Sequence, residues 1–151
     1  MVDSRAKGAR AESDVVDKLS KHTGLGFKRI PMSGALDSAH GLKGDIYVPN
    51  VTNIFCIEVK HYADDHLTSK VLTDKTPKLQ EWWEQTIRES AQISRHPLLI
   101  FKFDRSKHFV AYLDMPTSDD YDWIFIHLGK HEFYVAKLDD WLKYENPRFT
   151  I

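Results

Sequence analysis

Cysteine is nearly missing from this 151-residue chain: Cys56 is the only one. An internal disulfide is excluded, and a lone thiol suits an intracellular, cytoplasmic setting. No apolar run is long enough to cross a bilayer, and the N-terminal residues lack the apolar centre of an export signal, so no membrane partner is expected. An excess of charge of one sign is missing too. The formal net charge is −1, so a nucleic-acid partner would have to be met by a local basic patch. Repeats, low-complexity tracts and linker-like stretches are absent. With 42% hydrophobic and 28% charged residues, a single domain over residues 1–151 with a sizeable core is expected. Histidine is plentiful, with eight, but metal-binding spacing is not. His127 and His131 are four apart, yet the segment between them reads as a hairpin rather than one face of a helix.

What is present is concentrated between Gly44 and Lys60. This stretch reads as two strands joined by a turn at Pro49-Asn50, with Asp45 opening the first and Glu58 and Lys60 closing the second. Residues two apart in a strand share a face. Ile54, Cys56, Glu58 and Lys60 therefore line one face, and Phe55, Ile57 and Val59 the other. A strand apolar on both faces is a buried strand. Charges at its end need a partner or a task, because an unpaired buried charge is costly. Two readings follow: a buried Glu58–Lys60 ion pair, or a divalent-cation site with a lysine beside it.

The rest of the chain supplies further pieces. A helix from Ser4 to about Lys21 is expected, stopped by Thr-Gly-Leu-Gly, with Gly8, Ala9, Val15, Val16 and Leu19 facing inward. Glu12 falls within that stripe, where amphipathicity alone gives it no place. Either it reaches solvent at the edge or it points to the same site as Asp45 and Glu58. Arg5, Lys7 and Arg10 crowd the end of the helix that disfavours cations, as a solvated face or as a phosphate-binding patch. A short strand spans Phe27 to Pro31, with Lys28 and Arg29 near it, and Met32 to Lys43 reads as a loop. His61 to Lys78 reads as a mobile loop. A helix over Lys78 to Arg95 follows, with Leu79, Trp83, Ile87, Ser90 and Ser94 inward, Trp82 and Ile93 flanking, and Gln85, Arg88 and Gln92 outward. Strands are expected at Pro97 to Phe103, Lys107 to Leu113, Trp123 to Leu128 and Glu132 to Ala136. A closing helix over Leu138 to Tyr144 places Trp141 and Leu142 on the core, and Glu145 to Ile151 reads as a tail. The class is α/β: a central mixed sheet flanked by helices.

Asp45 and Glu58 converge if their strands pair. Carboxylates and water suit magnesium, or manganese in its place. The Val59 carbonyl, between Glu58 and Lys60, is a further ligand candidate. A carboxylate-held cation beside a lysine is suited to phosphodiester hydrolysis.

Asp45 followed by Glu58-Val59-Lys60 resembles the D…(D/E)XK signature of the PD-(D/E)XK nuclease superfamily. The ordered set of Lys7-Gly8 with Glu12, Gly26-Phe27 leading to Arg29, Ser33-Gly34, Gly44-Asp45 and Ile57-Glu58-Val59-Lys60 is similar to the archaeal-type and phage Holliday junction resolvases. It covers about the first 60 residues. The Trp82-Trp83 helix and the Pro97-Leu98-Leu99-Ile100 strand also suit the phage members. Gly44 stands where the superfamily motif often has proline. The resemblance implies a restriction-endonuclease-like core and a magnesium-dependent endonuclease that resolves four-way DNA junctions as a homodimer. Asp45 and Glu58 would be metal ligands, with Glu12 completing the site directly or through water. Lys60 would assist the attacking water, and Ser33 would lie close to the scissile phosphate. Arg5, Lys7, Arg10, Lys28 and Arg29 would contact the phosphate backbone, and Trp82 and the C-terminal hairpin are interface material for a dimer. If the source is viral, the host cytoplasm is the expected location. The competing expectations are a restriction-like or repair endonuclease of the same superfamily, and a noncatalytic DNA-binding protein on that fold.

Overall fold

The structure is a computed structural model that describes residues 4–31 and 42–151, with side chains from Lys7 onward. Ser33 and the expected loop from Met32 lie outside the described residues except for Leu42 and Lys43, as does the side chain of Arg5.

Helix α1 runs over Ser4–Thr23. Its buried residues are Ala11, Glu12, Val15 and Leu19. The apolar stripe thus steps by four from Ala11, while Gly8 is exposed and Ala9 and Val16 are half-buried. The expected stripe was a fraction of a turn out of phase at its N-terminal end, where small residues fit either face. The helix ends as Thr-Gly predicts. Gly24 takes φ +77° and its N–H bonds to the Ser20 carbonyl at 2.9 Å, an αL stop.

Strands β1 (Lys28–Arg29), β2 (Ile46–Tyr47) and β3 (Phe55–Tyr62) form an antiparallel edge. The turn between β2 and β3 uses Asn50 at φ 66°. Asn53, buried within it, accepts the Val48 N–H and donates to the Val48 and Val51 carbonyls. The segment read as loop after β3 contains a short helix, α2 (Lys70–Thr73). Helix α3 (Lys78–Gln92) then carries the chain across to β4 (His96–Phe103), which runs parallel to β3 in register from Phe55↔His96 to Tyr62↔Phe103. A parallel pair needs such a crossover. Strands β5 (His108–Tyr112), β6 (Trp123–Leu128) and β7 (His131–Lys137) add antiparallel, giving the order β1-β2-β3-β4-β5-β7-β6. Helix α4 (Leu138–Glu145) follows β7 directly.

The sheet separates two cores. On one face α1 and α4 bring Val15, Leu19, Trp141 and Leu142 onto Ile57, Leu98, Ile100 and Val110. On the other, α3 brings Leu79, Trp82 and Trp83 onto Leu99, Phe101, Phe133 and Val135. Leu98 to Phe101 are fully buried, as a central strand covered on both faces must be. Trp83 stacks on Phe133 at 4.5 Å between centroids, and Trp82 is surrounded by Tyr62, His66, Phe101 and Phe103. Both tryptophans are therefore core, and Trp82 is not interface material. Helix α3 stops at Gln92, short of the expected Arg95, and Ser94 is exposed at φ 54°. The expected tail is docked rather than loose. Phe149 is buried against Phe27, Phe55 and Trp141, its carbonyl accepts the Ile54 N–H, and Thr150 bridges to Asn53. No helix among the described residues is long and apolar enough to cross a membrane.

Candidate active site

β2 touches β3 only briefly. Ile46 pairs with Ile57, and the Asp45 N–H donates to the Ile57 carbonyl at 2.7 Å. Beyond that point β3 continues while β2 turns away, so an edge opens beside Val59. The Asp45 side chain fills the place of the departing strand: its Oδ2 accepts the Val59 N–H at 2.7 Å. The Asp45 carbonyl accepts from Ile30 N–H of the β1 side at 2.8 Å. Asp45 is thus fixed by backbone and side chain together. The Val59 carbonyl shares the open edge with its own N–H, since both groups of one strand residue point the same way.

Gly44 explains how the chain enters this corner. Its φ is +88°, and a Cβ there would stand 2.8 Å from the Ile57 carbonyl oxygen and 3.2 Å from Cys56 Sγ. A proline, locked near φ −65°, cannot take this conformation. Glycine at position 44 is therefore what this close, positive-φ approach to β3 requires.

Glu58 is 2% exposed and lies on the α3 face of β3. Its carboxyl is pushed well above the carboxylate range by burial first, then by contact with Glu89 and with the Asp45 carboxylate. Asp45 is also raised, by burial, although the Val59 N–H pulls the other way. Lys60 shares the Glu58 face and is half-buried. From the opposite helix, Glu12 is 7% exposed and pairs with Arg29 Nε at 3.2 Å. Its carboxyl is raised by burial and by the Asp45 charge, and Lys60 acts to lower it. The helix stripe, the strand start and the strand end thus bring Glu12, Asp45, Glu58 and Lys60 into one electrostatic neighbourhood.

One member was not anticipated. Glu89, on α3, is close enough to Glu58 to push the Glu58 carboxyl up, and Gln85 Nε2 donates to Glu89 at 3.3 Å. Gln85, expected to face outward, is half-buried. The signal was in the helix phase: Glu89 is seven residues after buried Trp82 and beside buried Ser90. That is the same kind of misplaced acid that marks Glu12 on α1.

Among the described residues, Arg29 is the one expected phosphate-binding cation paired with a site carboxylate. Lys7 Nζ is 3.3 Å from Asp104, which also bonds His61 at 2.9 Å, and the Lys7 contact holds the Asp104 carboxyl below its ordinary range. Arg10 and Lys28 are exposed. His127 pairs with Glu132 and His131 with Glu84, and neither lies near the carboxylates. Cys56 is buried, its thiol pushed up to about 12 by burial and the nearby Glu58.

The donor set suits a hard divalent cation. Burial raises both Asp45 and Glu58, and the neighbouring Glu89 and Asp45 carboxylates raise Glu58 further; an ion between them would offset those penalties. Among the described residues no group of three or more His, Cys, Asp or Glu is arranged to hold a metal alone. Two carboxylates, the Val59 carbonyl and water match the sparse protein coordination that magnesium accepts, and Glu12 and Glu89 fit as outer partners.

The model of a family described as "Phage putative PDDEXK endonuclease" matches residues 3–147. Protein D14 of Escherichia phage T5 is 45% identical over 113 residues, covering 73% of this chain and 71% of that protein. The crystal structure of Hjc, a Holliday junction resolvase from Archaeoglobus fulgidus, superposes with a TM-score of 0.46 at 18% identity, covering 85% of this chain and 88% of that one. With its matched region spanning nearly the whole sequence, the chain belongs to the phage PDDEXK endonuclease family.

Proposed function

We propose that this protein is a magnesium-dependent, structure-selective endonuclease that resolves four-way DNA junctions, acting as a homodimer. The observation that supports it most is the meeting of Asp45, Glu58 and Lys60 at the open edge of β3, with Glu12 behind them. The junction part rests on the ordered motif set in the first 60 residues.

In this reading Asp45, Glu58 and the Val59 carbonyl hold the cation. When bound, the ion supplies charge neutralisation at the phosphoryl oxygens and a more acidic water. Lys60 directs its ammonium at the attacking water and the charge that develops on phosphorus. Glu12 keeps Arg29 beside the site, so that one guanidinium face remains for a phosphate. Arg5, Lys7, Arg10 and Lys28 add backbone contacts that position the duplex without reading its sequence. The resemblance adds Ser33, outside the described residues, as a group that would lie close to the scissile phosphate. A two-fold dimer matches the near two-fold symmetry of a junction.

The test compares a labelled four-way junction with a linear duplex of the same sequence in magnesium. Cutting of the junction at opposed strands, with the duplex spared, is the expected outcome. Equal cutting of both removes the junction selectivity and leaves a general or repair nuclease. In the same assay Asp45→Asn should lower cleavage by about a thousandfold while junction binding persists, because phosphate contacts elsewhere supply most of the affinity. Survival of cleavage in that variant would refute the assigned site.

A further inference from the structure

Strand β6 is the outer strand of the sheet, opposite the carboxylates. It is unlike an ordinary edge. Edge strands in monomers are short, charged, bulged or covered. β6 is six residues long, pairs without interruption to β7, and reads Trp-Ile-Phe-Ile-His-Leu. Among the described residues nothing pairs with its outer edge. Trp123, Ile124 and Phe125 are 36%, 49% and 50% exposed.

Both faces of the strand are left half-finished. Trp123 and Phe125 lean on Tyr134 at 5.5 and 5.3 Å, extending the surface on the α4 side. Ile124 shares the other face with Ile126 and Leu128, which are buried under α3. A neighbour that finished both faces would itself have to be a strand carrying apolar residues on both sides.

We infer that the occupant is β6 of a second copy of this chain, paired antiparallel across a two-fold axis normal to the sheet. Charge favours this partner. The approach to β6 carries Asp119, Asp120 and Asp122, and its far end carries Lys130, all exposed. Antiparallel self-pairing sets Asp120 of each copy opposite Lys130 of the other, while Glu132, exposed beside Lys130, is paired to His127 within its own hairpin. A two-fold axis of this kind pairs residues of equal parity, because side chains alternate with a period of two. With the axis at Phe125, Ile124 of one copy lies beside Ile126 of the other, Trp123 beside His127, and the two Phe125 rings meet on the axis. No like charges face each other. The sheet then runs unbroken through both copies. The two carboxylate sites lie at its outer ends, nine strand spacings apart, about 40 Å along the sheet.

This names the surface of the homodimer proposed above, and its test contains no DNA, so the cleavage reading stands or falls separately. Sedimentation velocity of the full chain from one to a hundred micromolar should show a monomer–dimer equilibrium. Phe125→Lys places two like charges on the axis, and Ile124→Lys places one beside each Ile126. Each should weaken self-association by at least about tenfold with an unchanged circular dichroism spectrum. Met115→Lys, an exposed apolar position away from β6, should leave the dimer intact. In the wild type, β6 amides should gain hydrogen-exchange protection as concentration rises. A monomer throughout, assemblies larger than a dimer, or lysine variants that dimerise like the wild type would each overturn the inference.

Discussion

The two ends of the sheet are built in opposite ways. At one end β1 and β2 are two residues long, touch their neighbours at one or two registers, and surround buried acids. At the other, β5, β7 and β6 hold continuous antiparallel ladders over rings and aliphatic side chains. The second end is stabilised by burial. The first is held by specific bonds: the Asp45 carboxylate on Val59 N–H, the Asn53 amide on Val48, and Arg29 on Glu12. The difference shows where stability is generated and where it is spent on gathering like charges, as binding edges usually require.

Breaking the ladder end should have the largest effect on stability. Phe133→Ala removes the ring stacked on Trp83 and should cost about 3–5 kcal/mol, read by urea unfolding, while magnesium affinity of the folded fraction stays unchanged. If that affinity falls in step, the two ends are not separable. Gly44→Ala comes next. Its Cβ meets the backbone oxygen of Ile57 at 2.8 Å in a positive-φ conformation, so a loss of about 2–3 kcal/mol is expected. A loss below half a kilocalorie would mean that the corner relaxes freely.

Glu58→Gln should act least, and in the other direction. The Glu58 carboxyl is raised above its unfolded value, so its contribution is fully present below the unfolded pKa near 4.5 and is lost as pH rises toward the folded value. Asp45 and Glu12 are raised too and slope the same way. In chelator, the wild-type melting temperature should fall between pH 5 and 8. The variant should fall less and melt a few degrees higher at pH 8, about 2–4 °C for each kcal/mol. Magnesium should raise the wild type and not the variant. Identical pH slopes for the two would contradict the burden assigned to Glu58.

Much of this architecture is legible in the amino-acid sequence. β3 was readable because it is apolar on both faces, and Glu12 because an acid inside a helical stripe has no packing reason to be there. Glu89 was missed although it follows the same logic on α3, since the phase taken there turned on Trp83 and Ile87 rather than Trp82 and Thr86. Two adjacent tryptophans leave that phase undetermined until β4 and β7 supply the surface they cover. The Arg29–Glu12 pair, 17 residues apart, depends on how β1 meets α1, and no local pattern encodes it. The docking of Phe149 was hidden for the same reason: its partners Phe27, Phe55 and Trp141 come from three distant segments.

The one thiol of the protein lies directly beneath the corner that Gly44 makes over β3. Sealed there and held in its protonated form, it is unreactive as long as that corner is closed. Alkylation of Cys56 therefore keeps time for the separation of β2 from β3. Any ion or nucleic acid that draws the active-site edge together writes its effect into the rate at which a single native cysteine is labelled.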